Sequence, residues 1–287
     1  MEQLKLIECP RDAMQGIKTF IPTEQKITYI NQLLKAGFNT IDFGSFVSPK
    51  AIPQMADTAN VLNGLDLSNS SSKLLAIIAN KRGAIEASAF DEITYLGYPF
   101  SISETFQQRN TNASLDESLI RLEEITSIAN KTKKELVVYL SMGFGNPYGD
   151  VWSPEVVIKW SEKLNALFGI KILALSDTIG VAEPTIISEL FNELIPALPH
   201  VEFGAHLHTV PEKCEEKVAA AYRAGCRRFD SAIKGFGGCP MAKDDLTGNM
   251  PTEGMLAWFN KNNIDTQIDK TAFETAFKTA GEIFPIA

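Results

Sequence analysis

Histidine is scarce in this chain, with only three among 287 residues. Cysteine is nearly as rare. Cys9, Cys214, Cys226 and Cys239 form no C-x-x-C pair and show no disulfide-framework spacing, so a disulfide-stapled secreted fold is excluded and a reducing cytosol is the expected compartment. Positive charge is also in deficit: the net charge of −8 argues against broad nucleic-acid binding while leaving room for a small anionic ligand in a locally basic cleft. No long hydrophobic run occurs. Stretches such as LLAII fall far short of a membrane span. The opening MEQLKLIECPRD enters a strand-like run at once, without the features of a secretory or transit segment, and a cytoplasmic protein is expected.

What is present is alternation. Eight short apolar runs rich in β-branched residues occupy 4–9, 39–44, 73–78, 91–97, 135–141, 170–176, 201–208 and 226–233. Helical periodicity fills most of the gaps. TEQKITYINQLLKAGF opens on a Thr cap and closes on Gly37, and SLDESLIRLEEITSIANK opens on Ser114 with Leu119, Ile120, Leu122 and Ile125 on one stripe. SPEVVIKWSEKLNALFG and PTIISELFNELIPAL each begin beside a proline, and PEKCEEKVAAAYRAG ends on Gly225. Strict β-α alternation predicts parallel strands with right-handed crossovers, and eight units match an α/β fold of the (β/α)8 TIM-barrel type better than an open sheet. The segments TEGMLAWFNKN and TAFETAFKTAGEIF read as additional C-terminal helices. No Pro/Gly/Ser-rich linker interrupts the series. One catalytic domain over 1–287 is expected, with the barrel at about 4–250 and the helical segment at about 251–287.

Chemistry in such barrels collects at the carboxyl-terminal strand ends. There the first run terminates in ECPRD (Glu8, Arg11, Asp12), the second carries Asp42, and the sixth ends in SDTIG with Asp177. The seventh gives His206 and His208, and the eighth leads into KGFGGCP and TGN, with Cys239 and Asn249. Each alone has a bland reading: a surface ion pair, a turn cap, an inert thiol, a flexible bend. Two histidines at i and i+2 of a strand, however, share a face with Cα atoms roughly 6.5–7 Å apart and can reach one ion. The expected ligand set is Asp12, His206, His208 and Asn249. Two imidazoles, a carboxylate and an amide oxygen leave two positions of a six-coordinate ion for substrate or water, which suits Mg²⁺ or Mn²⁺ better than Zn²⁺.

IECPRDAMQ, SFVSPK followed by PQM, SDTIGV, HLH, GFGGCP and TGN-x-x-x-E occur in an order that resembles the 3-hydroxy-3-methylglutaryl-CoA lyase family, over roughly residues 4–285. The resemblance implies a metal-dependent carbon–carbon lyase on a TIM barrel, an acyl-CoA substrate and a homodimer. It also implies that Arg11 stabilises charge on the thioester oxygen and that Cys239 protonates the acetyl-CoA enolate. Glu8, Asp42, Asp177 and Glu253 match acidic positions that orient ligands or move protons. Gln15 and Lys18 match further site positions, and contacts to CoA are expected at Lys18, Lys50 and Asn80. The R-D and H-x-H pieces are shared with a wider superfamily, so the alternative is a related lyase or acyl-condensing enzyme acting on another 3-hydroxyacyl-CoA or 2-oxo acid. Asp42 stands where the family usually has Glu, Ala13 replaces a Gly, Thr209 follows the second histidine, Met241 follows GGCP, and the segment from Cys239 to Asn249 is one residue longer. These departures bear on the acyl substrate and leave the ligand set intact.

Overall fold

The computed structural model describes residues 3–238 and 247–284. Eight parallel strands close into a barrel in sequence order: β1 (Lys5–Glu8), β2 (Thr40–Ser45), β3 (Lys73–Ile77), β4 (Ile93–Ser101), β5 (Glu135–Ser141), β6 (Ile172–Asp177), β7 (Glu202–Leu207) and β8 (Arg228–Ser231). Pairing of Lys5 with Arg228 through Glu8 with Ser231 seals β1 to β8. Each strand is buried on both faces, which is why the runs read as nearly continuous apolar stretches. Alternation then sorts the side chains. Leu75, Ile77, Tyr95, Val137, Tyr139, Ile172 and Ala174 pack together inside the barrel, while neighbours such as Leu74, Leu96, Val138 and Leu173 join the outer layer under the helices.

The helices are α1 (Pro10–Gln15), α2 (Thr23–Ala36), α3 (Thr58–Asn63), α4 (Lys81–Ser88), α5 (Glu104–Thr111), α6 (Leu115–Thr132), α7 (Pro154–Phe168), α8 (Pro184–Ala197), α9 (Cys214–Arg223), α10 (Thr252–Lys261) and α11 (Lys270–Ile283). Among the described residues none is long and apolar enough to cross a membrane. α10 supplies the helix after β8. α11 lies across α2, where Tyr29 meets Phe284 edge-on at 5.5 Å between ring centroids.

The barrel and its helices follow the expected order, with local differences that have physical causes. β4 runs on to Ser101 instead of stopping near Gly97. Its Pro99 cannot donate to a ladder and so reads as a strand end, yet it sits opposite Tyr139 inside the sheet. Ser114 caps α6 in a reciprocal box with Glu117, as its spacing suggests. Ile120 leaves the apolar stripe, being 62% exposed, whereas Leu122 and Ile125 are buried. Thr23 is no cap: it lies inside the first turn of α2 behind Pro22 and donates to Asp57 at 2.8 Å. Helices α1, α3, α4 and α5 have six to eight residues each, too few turns for a periodic stripe to register in the sequence.

Candidate active site and metal centre

Three segments bring the expected ligands together at the carboxyl-terminal mouth of the barrel. β1 passes directly into α1, where Pro10 starts the helix and places Arg11 and Asp12 in its first turn, both buried. ECPRD is thus a strand-to-helix junction, not a loop. β7 carries His206, and His208 follows just past the strand end. The return segment before α10 runs antiparallel to that end. Thr209 N donates to Gly248 O at 3.0 Å and Met250 N to Leu207 O at 3.1 Å, so Asn249 is bridged to His208.

One donor atom from each of Asp12, His206 and His208 lies within 4.8 Å of the others. Asn249 Nδ2 donates to Asp12 Oδ2 at 2.7 Å and to Phe236 O at 2.9 Å, which leaves its carbonyl oxygen as the atom to offer a cation. His208 Nδ1 is buried with no hydrogen-bond partner among the described residues. An orphaned imidazole nitrogen beside a converging carboxylate fits a bound divalent ion, because burying it otherwise costs a lost hydrogen bond. Burial, then the neighbouring His206, push the His208 pKa down to about 4, so the ring is neutral as a ligand must be. His206 behaves oppositely. Burial disfavours its charge, but Asp230 and Asp12 together raise its pKa above the ordinary value. The Asp230 carboxylate meets His206 Nδ1 at 3.1 Å and fixes the ring, as carboxylates behind metal-ligating histidines do. For Asp12, burial is outweighed by Arg11 and the two histidines, and its pKa is lowered.

Beside this group Arg11 is clamped. Its Nε donates to both Asp42 oxygens at 3.2 and 3.1 Å, and Nη2 reaches Asp42 Oδ2 at 2.5 Å. Nη1 donates to Asp12 Oδ1 at 2.7 Å and Gln15 Oε1 at 3.0 Å. Of the five guanidinium N–H groups, these contacts leave one, on Nη2, for a ligand. Burial works against the charge of Arg11, but Asp42 and Asp12 raise its pKa and hold it protonated. Burial also pushes Asp42 up to about 6 against the pull of Arg11.

A cavity of about 560 Å³ opens over these groups. Its wall includes Arg11, Asp12, Gln15, Asn80, Arg109, Tyr139, His206 and His208. Lys18 and Lys50 are exposed and are not part of the wall, and Asn80 caps α4 with its Oδ1 accepting from Gly83 N, which leaves its Nδ2 uncommitted among the described residues. Asp42, Asp177 and Glu253 also stand outside the wall. Asp177 accepts from Val181 N at 2.8 Å, Ala182 N at 3.0 Å and Lys217 Nζ at 2.9 Å. Glu253 accepts from Lys234 N at 2.9 Å. Cys239 and Met241 lie outside the described residues. Gly237 just before them sits at φ +93, where an added Cβ meets Asp12 O at 2.6 Å and Asn249 Nδ2 at 2.7 Å, so this glycine of GFGG lets the chain pass against the ligands.

Glu8 is sealed beneath the site, accepting from Ile233 N at 2.8 Å and Thr252 Oγ1 at 2.6 Å. Burial pushes its pKa up from 4.5 to about 8. Between those values the folded chain holds a proton that the unfolded chain has released, so stability falls as pH rises through that window. Glu8→Gln removes the titration. Its thermal stability relative to the wild type is expected to improve from pH 5 to pH 8, by at most about 1.4 kcal/mol per pH unit. Parallel melting curves for the two proteins across that range would refute the assignment.

Four further residues belong to this mouth beyond those the sequence motifs point to: Asp230, Lys217, Tyr139 and Arg109. Asp230 had a visible signal, a lone carboxylate inside an apolar strand run. Its pairing with His206 depends on the β7–β8 register, which places the two residues opposite one another.

A family model described as HMGL-like matches residues 4–279. The hydroxymethylglutaryl-CoA lyase of Bacillus subtilis is 34% identical over 262 residues, which is 90% of this chain and 85% of its own length. The rat 3-hydroxy-3-methylglutaryl-CoA lyase named as cytoplasmic is 32% identical over 272 residues, 93% of this chain and 77% of that protein. Among solved structures, an HMG-CoA lyase from Acinetobacter baumannii, in complex with coenzyme A and 3-methylmalate, is similar with a TM-score of 0.89 and 31% identity, covering 98% of this chain and 91% of that one.

Proposed function

Because this chain belongs to the HMGL-like family, we propose that it cleaves 3-hydroxy-3-methylglutaryl-CoA into acetoacetate and acetyl-CoA. The observation that carries the reading is the convergence of Asp12, His206, His208 and the clamped Arg11 on one cavity at the barrel mouth. Asp12, His206, His208 and the Asn249 carbonyl would hold a divalent cation, Mg²⁺ or Mn²⁺. When bound it supplies Lewis acidity that makes a tertiary hydroxyl easier to ionise at neutral pH.

The chain's own residues do the rest. Cleavage between the second and third carbons takes a proton from the hydroxyl, forms the ketone of acetoacetate and sends the bonding electron pair into the thioester as an enolate. The remaining N–H on Arg11 Nη2 is the preorganised donor for that enolate oxygen, and Asp42 behind it fixes the guanidinium plane. Proton return to carbon falls to the Cys239 thiol, next in sequence after Gly238, and the proton taken from the hydroxyl then restores the thiol through solvent. Asp230 keeps the His206 ring in place. Asp42, Asp177 and Glu253 act by orienting neighbours, a role supported by their absence from the cavity wall. CoA contacts at Gln15, Lys18, Lys50 and Asn80 belong to the same proposal, as does a homodimer.

The test is acetyl-CoA release from 3-hydroxy-3-methylglutaryl-CoA by purified protein, first stripped with chelator and then supplied with Mg²⁺ or Mn²⁺. Activity is expected to vanish on stripping and return with the ion. Undiminished turnover after exhaustive chelation, or no acetyl-CoA under any metal condition, sinks the reading.

A further inference from the structure

A substrate with several anionic groups approaches a chain of net charge −8, so the cavity needs local cations. Its described wall offers two, Arg11 and Arg109. Arg11 is committed to Asp12 and Asp42 deep in the site. Arg109 is exposed on the last turn of α5, and no carboxylate of the described residues pairs with it.

It is held ready all the same. Asp150, on the loop after β5, accepts from Thr105 N and Thr105 Oγ1, both at 2.9 Å, and ties down the start of α5. The same loop lifts Tyr148 against Phe106, with rings stacked at 6.4 Å. The Arg109 guanidinium lies over the Tyr148 ring, 4.7 Å from its centroid. A guanidinium stacked on an aromatic face keeps its N–H edge free for oxygen acceptors and loses little freedom on binding them.

We infer that Arg109 is an anion-binding residue of the substrate site, gripping phosphate or carboxylate oxygens of the acyl-CoA; this rests on the lyase reading above. Two parts of that substrate carry such oxygens, the phosphates of the carrier and the free carboxylate of the acyl group.

Arg109→Ala is expected to raise KM for 3-hydroxy-3-methylglutaryl-CoA about tenfold, the worth of one charge-assisted contact, while kcat stays within about twofold. Arg109→Lys keeps part of the affinity. The corresponding pantetheine thioester, which lacks the phosphates, separates the sources. Equal KM for wild type and Arg109→Ala on that substrate assigns the phosphates, and a persisting tenfold gap assigns the carboxylate. An unchanged KM for the CoA thioester, or a loss confined to kcat, overturns the inference. If wild-type protein cleaves neither thioester, the lyase reading has failed, and calorimetric affinity of wild type and Arg109→Ala for the intact CoA thioester then decides about Arg109.

Discussion

Replacing Arg11 by methionine is expected to lower kcat/KM for acetyl-CoA release by on the order of a thousandfold, with the fold and the metal affinity retained. The size follows from what is lost. A fixed donor aimed at charge that develops only in the transition state typically contributes a hundred- to thousandfold, and Arg11 brings a full positive charge in a buried setting. Retention of the fold follows from what remains. Asp42, already pushed up to about 6, takes a proton once the guanidinium is gone, so no bare charge stays buried. Asp12 keeps Gln15 on Oδ1 at 2.5 Å and Asn249 on Oδ2 at 2.7 Å, so its place in the ligand group survives. Arg11→Lys should fare little better, because an ammonium cannot grip both oxygens of Asp42 and still present a donor in a set direction. The measurements are steady-state kinetics, melting temperature and Mn²⁺ titration. If turnover and Mn²⁺ binding fall together, Arg11 is holding Asp12 and has no separate role in the chemistry. More than a tenth of wild-type activity in Arg11→Met rules out the enolate role.

The barrel was legible because parallel strands covered on both sides must be apolar along their whole length, so runs such as IKILALS and ELVVYLS stand out between polar helices. The ligand group was legible for a different reason. Two histidines one residue apart in a chain with three invite a shared face, and strand ends are where barrels collect chemistry. Asn249 needed more than periodicity, since only the antiparallel bridge to His208 brings it to Asp12. Residues whose direction depends on packing were beyond reach. ETFQQRNT has no apolar stripe, so the helix that carries Arg109 left no trace. Lys18 and Lys50, where contacts to CoA are expected, are exposed and stand outside the cavity wall. Lys217 is the sharpest case. In CEEKVAAAYR a lysine beside glutamates reads as a solvated face, but the small alanines let α9 sit close to the barrel and carry that lysine inward until its side chain is 1% exposed.

That inward lysine sets up the second large effect. Lys217 Nζ donates to Asp177 Oδ2 at 2.9 Å, His208 O at 2.8 Å and Gly180 O at 3.2 Å, using all three of its protons. It therefore fastens the loop after β6 to the backbone of a ligand histidine. Lys217→Met strands a buried carboxylate and two carbonyls, and removing one partner of a buried ion pair costs about 3–5 kcal/mol. For a chain of this size that lowers the melting temperature by roughly 10 °C. Losing its anchor also lets His208 shift, and weakening the support behind a ligand typically costs ten- to a hundredfold in metal affinity. The two consequences separate in the double variant. Adding Asp177→Asn removes the stranded charge and should recover much of the stability, because the amide can still accept from Val181 N or Ala182 N. It returns no donor to the His208 carbonyl, so Mn²⁺ affinity should stay low. A double variant that regains both places the whole effect in the buried charge, and a Lys217→Met protein that melts and binds Mn²⁺ like the wild type shows that α9 plays no part in holding the ligand group.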